Sequence, residues 1–446
     1  MMTSNRTIMT LFVPILLAIN LVFIPFHAGD DENRFAVAYT LAHLEIGPVS
    51  SSNPSLSSGG YVDAAIPIVI AQNWRSVRLA PSSPPVVRTD TAWTGRDVFM
   101  PLPDTAYLPL LFAPQAVLIR IGELAGWSVQ QTIFAARLAN GAFALALISI
   151  SLTYLPQGVG GFVLAILALP KSLQLFASNS ADPMMYAVTI ALMAFYCSAI
   201  ATDWRPKAWH YALAGIGVVA LGGGRPPLTA FGLLVAYVAF RKRDRIGSLI
   251  AAISIALPFV WWASVLPLLH DTTCATAGSV GEKLGSFLSH APQLVGQTIS
   301  ERAPYYWITF IGELGYGNAL VGYAQILPLW IYLPTTAILF FGLSMSGTES
   351  YSMSIMDRAS PALASAAALT GIFFSFVMAC NAMDAPVIRG IQGRYFTAPL
   401  LVAVLAIAPS LPSMMLLPKI YRSVLVAFLL VSFYIMLNEG LRLYWL

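Results

Sequence analysis

The chain has 446 residues, of which 57% are apolar and only 10% are charged, and its mean hydropathy is +0.73. This composition excludes a set of soluble domains, because only bundled membrane helices need so much apolar surface. The net charge of +4 is small, and the one dense basic run, residues 241–245, lies between two apolar segments. Such a run is typical of a cytoplasmic membrane anchor, so the sequence predicts no nucleic-acid partner.

A cluster of acids follows the first apolar run. Residues 8–26 are apolar over 19 positions, longer than a usual signal-peptide core, and no Ala-x-Ala cleavage site follows them. We interpret this run as a retained transmembrane helix. Asp30, Asp31, Glu32 and Arg34 come directly after it. The acids either end the helix in water or face a cavity or a ligand, because charges are costly next to lipid.

The first polar loop, residues 27–131, ends in an apolar segment at residues 106–127. Two prolines, Arg120 and Glu123 interrupt this segment, which predicts a helix or helix pair lying along the membrane surface. A second polar loop, residues 270–323, follows the middle spans.

Between and beyond the loops, apolar runs of about 20 residues predict transmembrane helices. With the first run, they are residues 8–26, 132–152, 158–176, 183–201, 208–221, 226–240, 246–269, 324–343, 361–380, 395–411 and 424–441. The sequence therefore predicts an all-α polytopic membrane protein with about 11 transmembrane helices. We expect one integral-membrane domain over residues 1–446, with two long external loops that carry short surface helices.

The basic residues of the short loops orient the chain. With a cytoplasmic N-terminus, the cytoplasmic side holds ten basic and four acidic residues, against 14 basic and 16 acidic residues outside. The inverse orientation would violate the positive-inside rule. We predict a multi-pass protein of the inner (plasma) membrane whose active face is periplasmic or extracellular.

The predicted external turns hold most of the unusual polar residues. These are Lys171, Asp182, Arg225, the aromatic run 305–307, the glycine-rich loop 312–317, Arg389, Gln392, Arg394 and Tyr395. Most have a simpler interpretation as turns, interface markers or members of an aromatic belt. Arg394 is harder to explain that way, because it precedes a long span on the side that basic residues avoid. Its guanidinium group suits a phosphate, which it can bind through paired hydrogen bonds.

Several familiar chemistries lack their motifs. The five histidines show no HExxH spacing, and the three cysteines show no metal-ligand or disulfide pattern. The sequence contains no Gly-x-Ser-x-Gly motif, so it gives no indication of a serine nucleophile. External acids and arginines without a nucleotide-binding domain favour a donor that arrives as a lipid phosphate. A carboxylate would take a proton from an acceptor hydroxyl, and a cationic side chain would balance the leaving phosphate.

The chain resembles the GT-C class of integral-membrane glycosyltransferases and, more closely, a family of bacterial multi-spanning proteins related to that class. The resemblance covers most of the chain. It rests on Asp30-Asp31 with Phe35, Tyr107-Leu108-Pro109, Arg137-Leu138-Ala139-Asn140, Ser180-Ala181-Asp182, the loop 312–315, and Gln392-Gly393-Arg394-Tyr395-Phe396. The last of these is the most specific. Arg34 stands where that family has a histidine, so no role of the histidine transfers to this chain.

The resemblance implies transfer of a sugar, with inversion, from a polyprenyl-phosphate donor to a cell-envelope glycan acceptor. It implies that Asp31 or Asp30 is the general base, and Glu32 leaves the choice open among three acids. Substrate-binding candidates are Arg34, Lys171, Asp182, Arg225, Arg389, Gln392, Arg394 and Tyr395. Some members of the class need a divalent metal and others do not, so the resemblance leaves a metal open.

Two other functions compete with this hypothesis. A transporter or flippase for lipid-linked glycans predicts charged residues deep within spans and internal symmetry between halves, and the sequence shows little of either. A non-catalytic scaffold predicts acids that contact only water. We also expect the segment 106–127 and the loop 305–317 to fold together as a lid over a lipid-facing groove.

Overall fold

The computed structural model describes residues 3–23, 31–50, 56–78, 90–201, 204–269, 280–315, 324–326, 329–345, 353–382, 385–407 and 418–444. Helices dominate these residues. They are α1 (Thr3–Val22), α2 (Asp31–Ala42), α3 (Ala65–Arg78), α4 (Ala113–Leu124), α5 (Val129–Ser151), α6 (Gln157–Leu167), α7 (Pro170–Phe176), α8 (Asp182–Ala201), α9 (Ala208–Gly224), α10 (Gly232–Lys242), α11 (Arg245–Val265), α12 (Val280–Ile311), α13 (Tyr332–Met345), α14 (Ile355–Cys380), α15 (Thr397–Ile407) and α16 (Pro418–Tyr444). Two small antiparallel sheets pair β1 (Gly59–Asp63) with β2 (Asp97–Pro101) and β3 (Glu313–Gly315) with β4 (Ala324–Ile326).

Each of the eleven predicted spans contains a helix, which confirms an all-α membrane architecture. Within the described part of the chain, five helices are long and apolar enough to cross a membrane by themselves. They lie at Val129–Ser151, Asp182–Ile200, Arg245–Leu268, Ile355–Met378 and Ile420–Leu441. Helices α6 and α7 form a sixth candidate that bends by 73° between them. The count of 11 spans is therefore not confirmed, because several predicted spans fold as shorter helices.

The second predicted loop differs most from its prediction. Instead of short surface helices, it contains the 32-residue helix α12. Phe287, Thr298 and Thr309 are buried along one side of this helix, eleven residues apart, which corresponds to three helical turns. Leu284 and Leu288 are exposed. The segment is too polar to be predicted as a transmembrane helix. Its buried side includes threonines as well as apolar residues, so a search for apolar residues at helical spacing does not find it.

The first predicted loop, residues 27–131, is a folded unit over its described residues. Strands β1 and β2 pair from Gly59 with Pro101 to Asp63 with Asp97. The carboxylate of Asp63 accepts hydrogen bonds from the backbone N–H groups of Ala65, Thr94 and Gly95, which fixes the start of α3 against the loop before β2. Two 3₁₀ turns, Pro103–Ala106 and Pro109–Phe112, then lead into α4. The segment predicted at residues 106–127 is thus a 3₁₀ turn followed by a short helix.

Helix α8 lies at the centre of the bundle. About 72% of its membrane-spanning window is buried, against 22–44% for the other four long spans. Its first residue, Asp182, lies at one end of the bundle. Near the other end, Tyr196 donates to the backbone carbonyl of Asp357, whose carboxylate lies 3.8 Å from Arg241. At 1.5 Å per residue, residues 182 and 196 are about 21 Å apart along the helix.

A buried arginine links two of the helices. Arg137 of α5 is 1% exposed, and its Nε donates to the side chain of Asn20 at 2.9 Å. Its Nη2 donates to the backbone carbonyls of Asn20 and Phe23. A cation suits these carbonyls because they lie at the C-terminal, negative end of the α1 dipole. Arg137 therefore ties α1 to α5.

Candidate functional site

Two of the three acids predicted to be catalytic are the first two residues of helix α2. Asp30 lies outside the described residues, whereas Asp31 is the first residue of α2 and is fully buried, and Glu32 is 4% exposed. One carboxylate oxygen of Asp31 accepts a hydrogen bond of 2.5 Å from the backbone N–H of Asn179. The positive end of the α2 dipole also stabilises negative charge at Asp31. This hydrogen bond holds Asp31 against the turn that precedes α8.

That turn, residues 178–182, is fixed by two buried amides. Asn140 of α5 donates from Nδ2 to the backbone carbonyls of Ser178 and Ser180, at 3.1 and 2.8 Å. Gln115 of α4 donates from Nε2 to the carbonyl of Asn179 at 3.3 Å. The turn joins Asp31 to Asp182, because Asn179 and Asp182 are only three residues apart.

Asp182 lies between two arginines. Its carboxylate is 2.7 Å from Nη2 of Arg225 and 3.7 Å from Nη1 of Arg394, and it accepts a hydrogen bond from the Ser180 hydroxyl at 2.8 Å. The side chains of Asp182 and Arg394 are 1% and 4% exposed, whereas that of Arg225 is 21% exposed. One carboxylate and two guanidinium groups together carry a net positive charge. Arg225 is the more exposed of the two arginines.

Glycine at the end of α9 places Arg225. The backbone N–H of Leu108 donates to the carbonyl of Gly223 at 2.9 Å, and a Cβ on Gly223 would come within 2.5 Å of the Leu108 side chain. Pro226 then ends the helix, because it has no N–H to continue it. The glycine-rich turn at residues 222–227 therefore has a packing role beyond a simple turn.

Glycine also places Arg394. The backbone N–H of Gly393 donates to the Thr309 hydroxyl of α12 at 2.7 Å, and a Cβ on Gly393 would overlap the Tyr306 carbonyl. This contact seats the 3₁₀ turn Gly393–Phe396 on α12 and directs Arg394 toward Asp182. The position of Arg394 therefore depends on a close backbone contact that only glycine allows at residue 393.

Aromatic rings and a second ion pair complete the surroundings of the arginines. The guanidinium carbons of Arg225 and Arg394 lie 4.5 and 5.4 Å from the centre of the Tyr395 ring. Arg34 lies 3.3 Å from Asp104 and 5.0 Å from the Tyr107 ring centre. We use "polar cluster" for the set Asp31, Arg34, Asp104, Tyr107, Asn179, Asp182, Arg225, Arg394 and Tyr395.

Three members of the polar cluster, Asp104, Tyr107 and Asn179, were missed as site residues by the sequence analysis. Asp104 and Tyr107 lie at the start of the predicted surface segment, where an acid directly before an apolar run was an available signal. Burial, with a smaller contribution from the negative charge of Asp104, raises the pKa of the Tyr107 hydroxyl to about 12. Tyr107 is therefore a neutral hydroxyl at physiological pH.

The structure thus brings six predicted residues into one cluster. Asp30 lies outside the described residues, and Glu32, Lys171, Arg389 and Gln392 are not part of the cluster. Lys171 is buried on α7 and donates to Gln174 at 2.9 Å. Arg389 is exposed, and its backbone is hydrogen-bonded to Asn381. Gln392 precedes the 3₁₀ turn of Arg394, where its carbonyl accepts the N–H of Tyr395.

The two predicted loops both border the polar cluster. The first loop contributes Arg34, Asp104 and Tyr107, and α12 of the second supports the turn of Arg394 through Tyr306 and Thr309. They are therefore not on opposite sides of the bundle, although their action as a lid stays a prediction. Within the described ranges, no three His, Cys, Asp or Glu side chains group closely enough to hold a metal ion.

Several buried amide atoms around the 178–182 turn lack protein partners. Both side-chain polar atoms of Asn179, Oε1 of Gln115 and Oδ1 of Asn140 accept or donate no hydrogen bond among the described residues. All three residues are 0% exposed. An unsatisfied buried polar group costs about 1–3 kcal/mol, so such groups usually meet a partner.

Comparison with known proteins adds one finding. A family model described as "predicted membrane protein (DUF2142)" matches residues 11–404. The match includes all nine residues of the polar cluster. No curated protein and no solved structure matches the chain significantly. The family description places the chain in a membrane and states no reaction.

Proposed function

The chain belongs to the DUF2142 family of predicted membrane proteins, and we propose that it is a glycosyltransferase. It transfers a sugar from a polyprenyl-phosphate donor to a cell-envelope glycan on the external face of the membrane. One observation carries this proposal: a buried carboxylate, Asp31, lies one short turn away from the arginine pair at Asp182. A candidate proton acceptor, Asp31, thus lies near candidate phosphate-binding groups, Arg225 and Arg394.

The charge distribution supports a phosphate ligand. Arg225 and Arg394 together exceed the charge of Asp182, and Arg225 is partly exposed. A guanidinium group in a partly dry site binds phosphate strongly, because it offers several donors in a fixed plane and screening by water is weak. Asp182 and the Tyr395 ring hold both guanidinium groups in place before a donor arrives.

The reaction divides between these groups. Asp31 accepts the proton from an acceptor hydroxyl, whose oxygen forms a bond to the anomeric carbon of the donor. The bond between that carbon and the phosphate oxygen breaks, and its electron pair leaves with the lipid phosphate. Arg225 and Arg394 stabilise the charge that develops there. A single displacement from the opposite face inverts the anomeric centre.

The proposal is tested by sugar transfer in nanodiscs. The wild-type chain is supplied with polyprenyl phosphates that carry radiolabelled glucose, galactose, mannose or arabinose, together with a cell-envelope glycan extract. We expect transfer from at least one donor, and loss of transfer when Asp30, Asp31 and Glu32 are replaced together by Asn, Asn and Gln. Transfer that survives all three replacements would reject these acids as the base, and absence of transfer from every donor by the wild-type chain would contradict the enzyme.

The orientation is a separate prediction. The Asp182 and Asp357 ends of the bundle are about 21 Å apart along α8, which supports their placement on opposite sides of a membrane. Glu32 is buried, so an exposed neighbour serves for labelling. In a variant without native cysteines, we expect Glu45→Cys to react with an impermeant maleimide on intact cells, and Arg245→Cys to react only after lysis. The reverse pattern would overturn the orientation.

A further inference from the structure

Asn179 is the buried residue between the two halves of the polar cluster. Its backbone N–H is taken by Asp31, and its backbone carbonyl accepts from Gln115. The main chain is therefore fixed, while neither Oδ1 nor Nδ2 of the side chain has a partner among the described residues. A buried amide without a partner among the described residues is available to hydrogen-bond a ligand.

Two more unpartnered oxygens surround Asn179. The Nδ2 group of Asn140 is used by the carbonyls on either side of Asn179, and Nε2 of Gln115 is used by the Asn179 carbonyl. These bonds assign the amide orientations, because only an NH₂ group donates to a carbonyl. Oδ1 of Asn140 and Oε1 of Gln115 thus remain as acceptors without partners. Around one residue the chain offers three acceptor oxygens and one NH₂ donor.

The set lies within reach of a ligand on the arginines. Asn179 and Asp182 are separated by three residues, so their Cα atoms are at most about 11 Å apart. A phosphate bound at Arg225 and Arg394 would therefore have the group attached to it near Asn179. Asp31, which accepts from the Asn179 backbone, borders the same position.

From this placement we infer that Asn179, with Asn140 and Gln115, forms the subsite for the hydroxyl groups of the sugar carried by the lipid phosphate. The inference rests on the proposed function and names Asn179 as a specificity residue. Hydroxyl groups both donate and accept, so they satisfy acceptor oxygens and an NH₂ donor together. A phosphate has no N–H or O–H group to donate to the three acceptor oxygens. An apolar chain would leave the three oxygens and the NH₂ group without hydrogen bonds.

The test compares Asn179→Leu with Thr189→Val. Leucine has nearly the shape of asparagine without its polar atoms. Thr189 of α8 lies ten residues after Asn179. It is also fully buried, and its hydroxyl has no hydrogen-bond partner among the described residues, so it controls for removal of a buried polar group elsewhere. Binding of bare polyprenyl phosphate and of the same lipid carrying glucose, galactose, mannose or arabinose is measured in nanodiscs, with the melting temperature of each variant.

We expect the wild-type chain to bind at least one sugar-bearing lipid more tightly than bare polyprenyl phosphate. Asn179→Leu should lower this preference by about tenfold, the effect of one or two hydrogen bonds, and leave affinity for the bare lipid unchanged. Its melting temperature should not fall, because the replaced atoms have no partner in the free protein. Thr189→Val should keep the wild-type preference.

Other results overturn the inference in distinguishable ways. Equal affinity of the wild-type chain for bare and sugar-bearing lipids would reject the subsite while leaving the phosphate site intact. A lower melting temperature with unchanged preference would show that Asn179 is structural. If Asn179→Leu does not fold, Asn179→Asp keeps its shape and loses its donor, and an unchanged preference there would equally reject the inference. Failure to bind any polyprenyl phosphate would reject the proposed function itself.

Discussion

Replacing Asp31 by asparagine should lower sugar transfer by about 10²- to 10⁴-fold and leave the affinity for polyprenyl phosphate within about twofold. The physical reason is that an amide oxygen at this position still accepts the hydrogen bond from the Asn179 N–H, so the turn before α8 keeps its place. The amide cannot accept a proton at neutral pH. Only the proton-transfer step is therefore lost.

The measurement is single-turnover transfer from labelled donor in nanodiscs, with donor binding measured on the same samples. Asp97→Asn is the matched control, because Asp97 is an exposed carboxylate of the same external loop. It should transfer at the wild-type rate. Near-normal transfer by Asp31→Asn would contradict the role of Asp31 and move the base to another acid. Asp104 would then be a candidate, since it faces Arg34 at the partly exposed side of the polar cluster.

The sequence identified the charged residues of the candidate site more readily than their arrangement. Asp182, Arg225 and Arg394 were recognisable because a charge at the end of a span is costly and needs a reason. Their pairing was not predictable, because more than 200 residues separate Asp182 from Arg394 and no local pattern encodes which helix ends meet. The pairing depends on two close backbone contacts, at Gly223 and Gly393, whose partners appear only in the folded chain.

The same limits explain the errors in the fold. Apolar runs of about 20 residues predicted the positions of helices well, because each such run must form its backbone hydrogen bonds within itself in lipid. They did not predict the number of full spans, since a run such as residues 158–176 is divided before Pro170 into two helices that meet at 73°. Helix α12 escaped prediction because its buried side includes Thr298 and Thr309 as well as aromatic residues.

Replacing Arg394 by alanine should weaken binding of polyprenyl phosphate by about 10- to 100-fold and reduce transfer at least as much. This range corresponds to the loss of one charge-assisted hydrogen-bonding group in a partly dry site. Arg394→Lys should recover only part of the affinity, because a point charge does not reproduce the planar guanidinium donors. Donor binding is measured in nanodiscs at fixed ionic strength, with Arg96→Ala, an exposed arginine of the first external loop, as the control.

Arg394 also neutralises Asp182, so a structural role must be separated from phosphate binding. Asp182 keeps Arg225 at 2.7 Å when Arg394 is absent, and we therefore expect Arg394→Ala to fold. The double variant Asp182→Asn/Arg394→Ala decides between the two roles, because it removes both charges of the pair. If Arg394 served only to neutralise Asp182, the double variant would regain wild-type donor affinity, which would contradict the proposal. If Arg394 binds the phosphate, affinity stays low in the double variant, since no carboxylate change can replace the missing donor.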